Sequence, residues 1–207
     1  MKKYLNYKSA LILAGIVVTI LIIGGTVATA LNDKSSPTKS IVRGYRNNAA
    51  NSLDTTTTSA AVDKTNTTQN DMLVYLIEEE KLAHDVYTVM YQKYGSNVFN
   101  NIAKSETNHQ ARVLSLLNAR AIKDPRKTIV GSFENQDLQQ LYNKLVQQGS
   151  QSVSEAYKVG VAIEELDISD IDKQLATATD GDIINTLNSL KKASQSHLKA
   201  FERQAAR

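Results

Sequence analysis

The sequence predicts an all-α protein, a four-helix bundle with a long crossover between its second and third long helices. From Asp71 onward, apolar residues recur with the 3.6-residue period of an amphipathic helix. Gly95 and Gly181 mark short turns within two pairs of such segments, and helices joined by short turns lie antiparallel. The connection over residues 119–151 is much longer and contains proline and glycine breaks.

Composition divides the chain into three segments. Residues 1–31 are predicted to be a membrane anchor or signal peptide, residues 32–70 a disordered Thr/Ser/Asn-rich linker, and residues 71–207 the bundle domain. Residues 1–70 carry 8 basic and 3 acidic side chains, whereas residues 71–207 carry 16 and 18. The bundle is therefore slightly acidic, which argues against a nucleic-acid partner. The absence of Cys excludes disulfides, thiolate catalysis and Cys-ligated metals.

The N-terminal segment has two open interpretations. Three lysines precede an uncharged run from Ser9 to Leu31, which as a helix would be about 34 Å long and could cross a bilayer core of about 30 Å. Ala28-Thr29-Ala30 is alternatively an A-x-A cleavage site of a signal peptide. The rest of the chain is extracytoplasmic in both cases, either anchored to the membrane through residues 9–31 or secreted after cleavage behind Ala30. A buried core helix, the third alternative, would need apolar contacts on all sides.

The linker at residues 32–70 has few large apolar residues and no helical or strand periodicity. Such a segment cannot bury enough surface to offset its conformational entropy, so we expect a flexible stalk.

Four long helices and one short helix are predicted after the linker. They run from about Asp71 to Tyr94, from the N-cap Asn97 to about Asn118, from about Gln136 to Gln148 (the short one), from a cap at Ser152 or Ser154 to about Ala178 with a break near Asp170, and from about Ile183 to the end. Two antiparallel pairs linked by a long crossover form the ferritin-like version of the four-helix bundle.

Polar residues interrupt the inward apolar stripe of every long helix at mid-length. The interruptions are Glu80 with His84, Glu106 with His109, Glu164 with Asp167, and Ser194 with His197. At 1.5 Å per residue, the two members of each helix pair reach the same height within about 3 Å. Buried carboxylates are costly unless a cation or a proton neutralises them. Carboxylates and imidazoles on facing helices are the ligands of di-iron and di-manganese bundle sites.

The segments that carry these residues resemble a known family. Glu80-Lys-Leu-Ala-His-Asp-Val-Tyr87 and Glu106-Thr-Asn-His109 resemble the first half of a rubrerythrin-type ferritin-like site. LIEEEKLAHDVY, NIAKSETNH, VGVAIEELDI and SQSHLKAF are similar to the ferritin-like family called domain of unknown function 2202, over about residues 72–204. The resemblance implies iron or manganese bound by Glu80, Glu106, His109, Glu164 and His197.

Two points of this ligand set stay open. Glu79 and Glu165 are the rivals of Glu80 and Glu164 if the helical phase is shifted by one residue. A full rubrerythrin-type site also has Glu three residues before the last His, where this chain has Ser194. His84 or Asp167 could substitute, and both a single metal and a dinuclear centre are compatible with the pattern.

Two functions of different class follow. The first is an exported metalloprotein that reacts with dioxygen or peroxide, a di-metal oxidoreductase of peroxide-reducing, oxygen-reducing or ferroxidase-like type, with Tyr87 as a candidate redox residue. The second is a non-catalytic binding or scaffold module of the cell envelope with a degenerate metal site, which Ser194 favours. Metal storage would need the same site without turnover. The expected partners are metal ions, and a homodimer is a further alternative. Phosphate-loop, nucleophile-elbow, dinucleotide-binding and zinc-helix motifs are absent from the sequence.

Overall fold

Five α-helices make up the part of the chain that the computed structural model describes, residues 55–207, with side chains from Thr68 onward. They are α1 (Thr55–Tyr94), α2 (Asn97–Ala119), α3 (Gln136–Gly149), α4 (Val153–Leu175) and α5 (Gly181–Ala205). No strand occurs within these residues, which confirms the all-α class and the short extra helix. The predicted anchor or signal peptide and the linker up to residue 54 lie outside the described residues. Within the described range, no helix has both the length and the apolarity needed to cross a membrane.

The first helix begins earlier than the sequence predicts. It starts at Thr55 instead of about Asp71, so residues 55–70, predicted as linker, are helical. A Thr/Asn-rich segment has weak helix propensity of its own, and such a segment is stabilised mainly by growing from a packed helix. Gln69 supplies one tertiary contact here, because its side-chain oxygen accepts hydrogen bonds from the backbone N–H groups of Thr179 and Asp180 at 3.0 and 3.3 Å.

Side-chain caps define the starts of α3, α4 and α5, whereas α2 begins without one. The side chain of Ser152 caps α4, which decides between the two predicted serines. That helix runs to Leu175 without the break that was predicted near Asp170. In α2 the capping position is Ser96, and the predicted cap Asn97 is the first helical residue.

The helices form a bundle of two principal pairs. α1 packs along α2, and α4 packs along α5, while α3 lies against both α1 and α4. The long crossover therefore returns across the face that α1 and α4 share.

The apolar core is divided into two clusters, one toward each end of the bundle. The first surrounds Tyr87, Phe99 and Phe201, and the second surrounds Leu76 and Leu187. Polar residues, most of them buried, separate the clusters on all four long helices, and we call these residues the polar layer. They are Glu78, Glu79, Glu80, Lys81, Glu106, His109, Gln110, Glu164, Asp167, Asp170, Ser194 and His197.

Candidate metal centre

The five residues expected to ligate metal lie together in the polar layer. Glu80, Glu106 and His109 each offer one ligand atom, and these atoms lie within 4.8 Å of one another. The same holds for Glu106, Glu164 and His197. Glu106 belongs to both trios, so the trios are adjacent and share one carboxylate.

The first trio joins α1 to α2. His109 Nδ1 lies 2.6 Å from Glu106 Oε2 and 3.1 Å from Glu80 Oε2. Glu106 and His109 are three residues apart, which places them on the same face of α2. All three side chains are buried, so the imidazole is held between two carboxylates away from water.

The second trio joins α2 to α4 and α5. His197 Nδ1 lies 2.9 Å from Glu106 Oε1 and 3.6 Å from Glu164 Oε2. Glu106 Oε1 and His197 Nδ1 are close, yet neither atom makes a hydrogen bond of acceptable geometry. The rings of His109 and His197 stack with their centroids 5.7 Å apart.

A buried tyrosine supports the second trio. The hydroxyl of Tyr87 donates a hydrogen bond of 2.7 Å to Glu164 Oε1. Its ring packs against Phe201 and Phe99, with centroids 5.0 and 6.3 Å away. Glu164 is therefore fixed in position by a residue that itself has little freedom to move.

Ser194 occupies the position where the expected pattern has a glutamate. Its hydroxyl makes a short hydrogen bond to Asp167 Oδ2 and lies 3.1 Å from the backbone carbonyl of Leu190. Both Ser194 and Asp167 are buried. The α4–α5 pair thus keeps a buried carboxylate at this level, although it comes from α4.

Five carboxylates of the polar layer line a single small cavity. They belong to Glu79, Glu80, Glu106, Glu164 and Asp167. The free volume is about 10 Å³, close to the smallest space that holds one water molecule. The cavity also contacts Leu141 of α3 and Leu166 of α4, so it lies toward the face that α3 covers.

The trios perturb the pKa of their members in opposite directions. Burial by itself would raise the pKa of Glu106, but the imidazoles of His109 and His197 outweigh it and lower this pKa to about 2. Burial would lower the pKa of both histidines, but the carboxylates beside them raise the pKa of His109 to about 11 and that of His197 to about 9. These shifts favour the ionised form of Glu106 and the protonated forms of His109 and His197.

The other four carboxyl groups of the cavity have pKa values above their usual range. Burial, with Glu106 nearby, raises the pKa of both Glu164 and Asp167 to about 7, although His197 and Ser194 respectively act in the opposite direction. Burial also raises the pKa of Glu79 and Glu80 well above its usual range. These four groups therefore retain protons to a higher pH than exposed carboxyl groups do.

The structure decides between Glu164 and its rival Glu165, and it places Glu79 beside Glu80 at the cavity. Glu165 is exposed, so the helical phase of α4 favours Glu164. Glu79 is buried and lines the cavity, but neither of its oxygens has a hydrogen-bond partner. His84 belongs to neither trio. It lies 2.8 Å from the carboxylate of its neighbour Asp85, with 30% of its side chain exposed.

Glu78 has a role that the sequence analysis missed. Its carboxylate accepts hydrogen bonds from the backbone N–H groups of Glu134 and Asn135, at 2.6 and 2.9 Å. It thereby fastens the end of the crossover to α1, next to the cavity. A run of three glutamates is usually a solvated face, and the length of the crossover is the one sequence feature that fits a segment packed over Glu78.

Helical bundles with a buried layer of carboxylates and imidazoles are the class that this fold and site define. Within that class, residues 69–207 match the family described as an uncharacterized protein domain, DUF2202, and the chain belongs to this family.

The similarity extends to a protein of known structure. The uncharacterized protein MJ0754 of Methanocaldococcus jannaschii is 41% identical over 136 residues, which cover 65% of this chain and 74% of that protein. The crystal structure of the hypothetical protein MJ0754 from Methanococcus jannaschii DSM 2661 is similar with a TM-score of 0.65 at 40% identity. That similarity covers 66% of this chain and 79% of the other, and it supports the helical fold described above.

Proposed function

We propose that the protein is an exported, membrane-tethered ferritin-like metalloprotein that binds iron or manganese in the polar layer and reacts with dioxygen or peroxide. The observation that carries the proposal is the pair of trios that share Glu106. Imidazole nitrogen together with carboxylate oxygen suits iron and manganese, and this combination on facing helices is typical of dinuclear bundle sites.

Unsatisfied buried atoms support a cation at this place. Glu80 Oε1, Glu106 Oε1, Asp167 Oδ1 and His197 Nδ1 are all buried without a hydrogen-bond partner. Leaving such groups unpaired is costly, and a bound cation is one of the usual ways in which proteins avoid this cost. Glu106 Oε1 and His197 Nδ1 lie 2.9 Å apart without the geometry of a hydrogen bond, and two ligand atoms of one cation would also lie this close together.

Charge favours two metal ions over one. Five carboxylates line the cavity, and with both imidazoles neutral, two divalent cations would balance four of the five negative charges. One cation would leave three negative charges buried together, unless protons remain on the carboxyl groups.

The metal would supply the redox chemistry, and the residues of the chain would set the conditions for it. Glu80 with His109 and Glu164 with His197 would hold the two positions, and Glu106 would connect them. Tyr87 orients Glu164 through its hydrogen bond of 2.7 Å. The apolar clusters above and below exclude water and keep the site dry.

Metal content tests the proposal directly. The full chain, extracted in mild detergent and purified without chelator or affinity metal, is loaded anaerobically with Fe(II) or Mn(II), and bound metal is measured per chain. We expect about two ions per chain, one for each trio. The variant Glu106→Gln should lose both, whereas Glu165→Gln, an exposed glutamate on α4, should keep both.

Peroxide or dioxygen consumption by the loaded protein tests the reaction. A chain that folds but binds no metal overturns the proposal. It would leave the alternative of a metal-free bundle that serves as a binding or scaffold module of the cell envelope.

Fractionation of cells tests the tether. The full chain should sediment with membranes, and a chain that lacks residues 1–31 should not. This proposal of export rests on the basic start and the uncharged run of the N-terminal sequence.

A further inference from the structure

Asp167 faces the same cavity as the residues of the two trios. It lies three residues after Glu164, on the same face of α4. Its side chain is buried, with the residue only 8% exposed, and its Oδ1 has no hydrogen-bond partner. It lines the cavity together with Glu80 and Glu106. A carboxylate that lines a cavity beside candidate metal ligands, and that has one unsatisfied oxygen, is placed to become a ligand itself.

Ser194 keeps Asp167 in this position from the opposite helix. Its hydroxyl bonds to Asp167 Oδ2, which leaves Oδ1 as the carboxylate oxygen without a partner. Ser194 is itself 1% exposed and has the carbonyl of Leu190 at 3.1 Å as a second neighbour. The serine thus supports a carboxylate ligand from behind, as hydrogen-bond partners of metal ligands commonly do.

We infer that Asp167 is a sixth protein ligand of the metal centre, and that Ser194 positions it. In this arrangement α4 supplies the carboxylate that a symmetric site would take from α5 at position 194. The inference rests on the proposed function, because it assigns one more ligand to the same centre. With Asp167, the centre has four carboxylate ligands, the same number as a symmetric site with glutamate at position 194 would have.

The other candidates for a sixth ligand fit less well. His84 is directed to Asp85 at 2.8 Å and belongs to neither trio. Glu79 also lines the cavity, but neither of its oxygens has a hydrogen-bond partner that would hold the side chain in place. Asp167, in contrast, is held at one oxygen by Ser194 and has the other oxygen unpartnered.

The test compares two aspartates of the same helix. Asp167→Asn preserves size and the contact with Ser194 but removes the anionic oxygen. Asp170→Asn changes an equally buried aspartate, one that pairs with Lys173 and does not line the cavity. The full chain is loaded anaerobically with Fe(II) or Mn(II), and the metal content and dissociation constants are measured by equilibrium dialysis. Circular dichroism of the metal-free variants checks that both remain helical.

We expect Asp167→Asn to lose one of two metals, or to bind it at least about tenfold more weakly, while Asp170→Asn keeps both. Ser194→Ala should weaken the same metal by about tenfold without abolishing binding, because the ligand remains but loses its support. Two metals bound by Asp167→Asn with unchanged affinity would overturn the inference. If, in that case, Glu106→Gln still lost both metals, the proposed function would stand. A wild-type chain that binds no metal would overturn both.

Discussion

The two helix pairs contribute to the polar layer in similar ways but not in the same way. The α1–α2 pair provides Glu80, together with Glu106 and His109 at a spacing of three residues. Its imidazole contacts both carboxylates of its own pair, at 3.1 and 2.6 Å. This half is a complete trio without any help from the rest of the molecule.

The α4–α5 pair provides Glu164, and then Ser194 where its partner pair has a glutamate. Its imidazole, His197, takes its nearest carboxylate from the other half, Glu106 at 2.9 Å, and lies 3.6 Å from Glu164. One half of the site is therefore preformed, whereas the other half depends on the first and on two additional side chains. These are Tyr87, which holds Glu164, and Asp167, the inferred sixth ligand.

The largest expected effect distinguishes the halves by their histidines. His109→Ala should weaken binding at the tighter of the two metal positions by at least about 100-fold, and His197→Ala should remove only the weaker one. The reason is that the α1–α2 trio is complete within its own helices. Competition titrations with a chromogenic chelator measure both constants. Equal losses in the two variants would show that the halves are equivalent after all.

The second effect concerns pH and the metal-free protein. Burial raises the pKa of Glu164 and Asp167 to about 7. Because the folded state then holds protons that the unfolded state has lost, the free energy of unfolding falls as pH rises from about 4 to about 7. Burial opposes but does not prevent the rise in the pKa of His197 to about 9, caused by the carboxylates beside it. The stability from His197 is complete below its unfolded pKa of about 6.5 and is lost as pH rises through about 9.

Both contributions have the same sign, so the Tm of the metal-free protein should fall from pH 5 to pH 8, by on the order of 10 °C. Metal binding displaces protons from its ligands, so the stabilisation that Mn(II) adds should increase over the same range. Calorimetric scans with and without Mn(II) check both slopes. A metal-free Tm that rises with pH would contradict the assignment of protons to the α4–α5 carboxyl groups.

The third effect tests the packing beneath the α4–α5 half. A Cβ atom on Gly160 would lie 2.5 Å from the ring of Phe201, which is fully buried against Tyr87. Gly160→Ala should therefore destabilise the protein by about 1–3 kcal/mol. Gly181→Ala is the matched control, because no atom lies within 4 Å of that Cβ position. Urea unfolding of both variants gives the difference, and equal midpoints would show that Phe201 can move aside.

The smallest effect concerns Tyr87, which has no counterpart described for Glu80. Tyr87→Phe removes the hydrogen bond to Glu164 and should cost about 1 kcal/mol of stability, with a few-fold loss of affinity at the weaker metal position. Tyr94→Phe removes a hydrogen bond of 2.8 Å to the carbonyl of Gly149, outside the polar layer. It should lower the stability and leave metal binding unchanged. Weaker metal binding in both variants would argue that general destabilisation, and not the orientation of Glu164, is responsible.

Much of this arrangement could be predicted from the sequence because each long helix carries one apolar stripe with one interruption. Helical periodicity fixes which side faces inward, and the short turns fix the relative heights of the interruptions. Glu164 and Glu165 illustrate this, because Glu164 is buried and the next residue along the helix, Glu165, is exposed.

Periodicity fails where a helix is covered on several sides. α1 contacts α2, α3 and α4, so Glu78, Glu79 and Glu80 are all buried although they point in different directions. The pairing of Ser194 with Asp167 depends on the distance between two helices, which no local pattern encodes. The early start of α1 at Thr55 likewise could not be predicted, because residues 55–70 have no apolar stripe.

The division of the apolar core into two clusters has a consequence for the lifetime of the protein. The polar layer lies between the two clusters, so a metal that binds the folded state alone would act as a crosslink between the helices at this level. Its stabilisation grows with the logarithm of free metal concentration. We expect amides on both sides of the layer to exchange with deuterium faster when the metal is removed. Proteases that attack the opened chain would then degrade the protein fastest under metal starvation, so its abundance would follow the supply of the ion it binds.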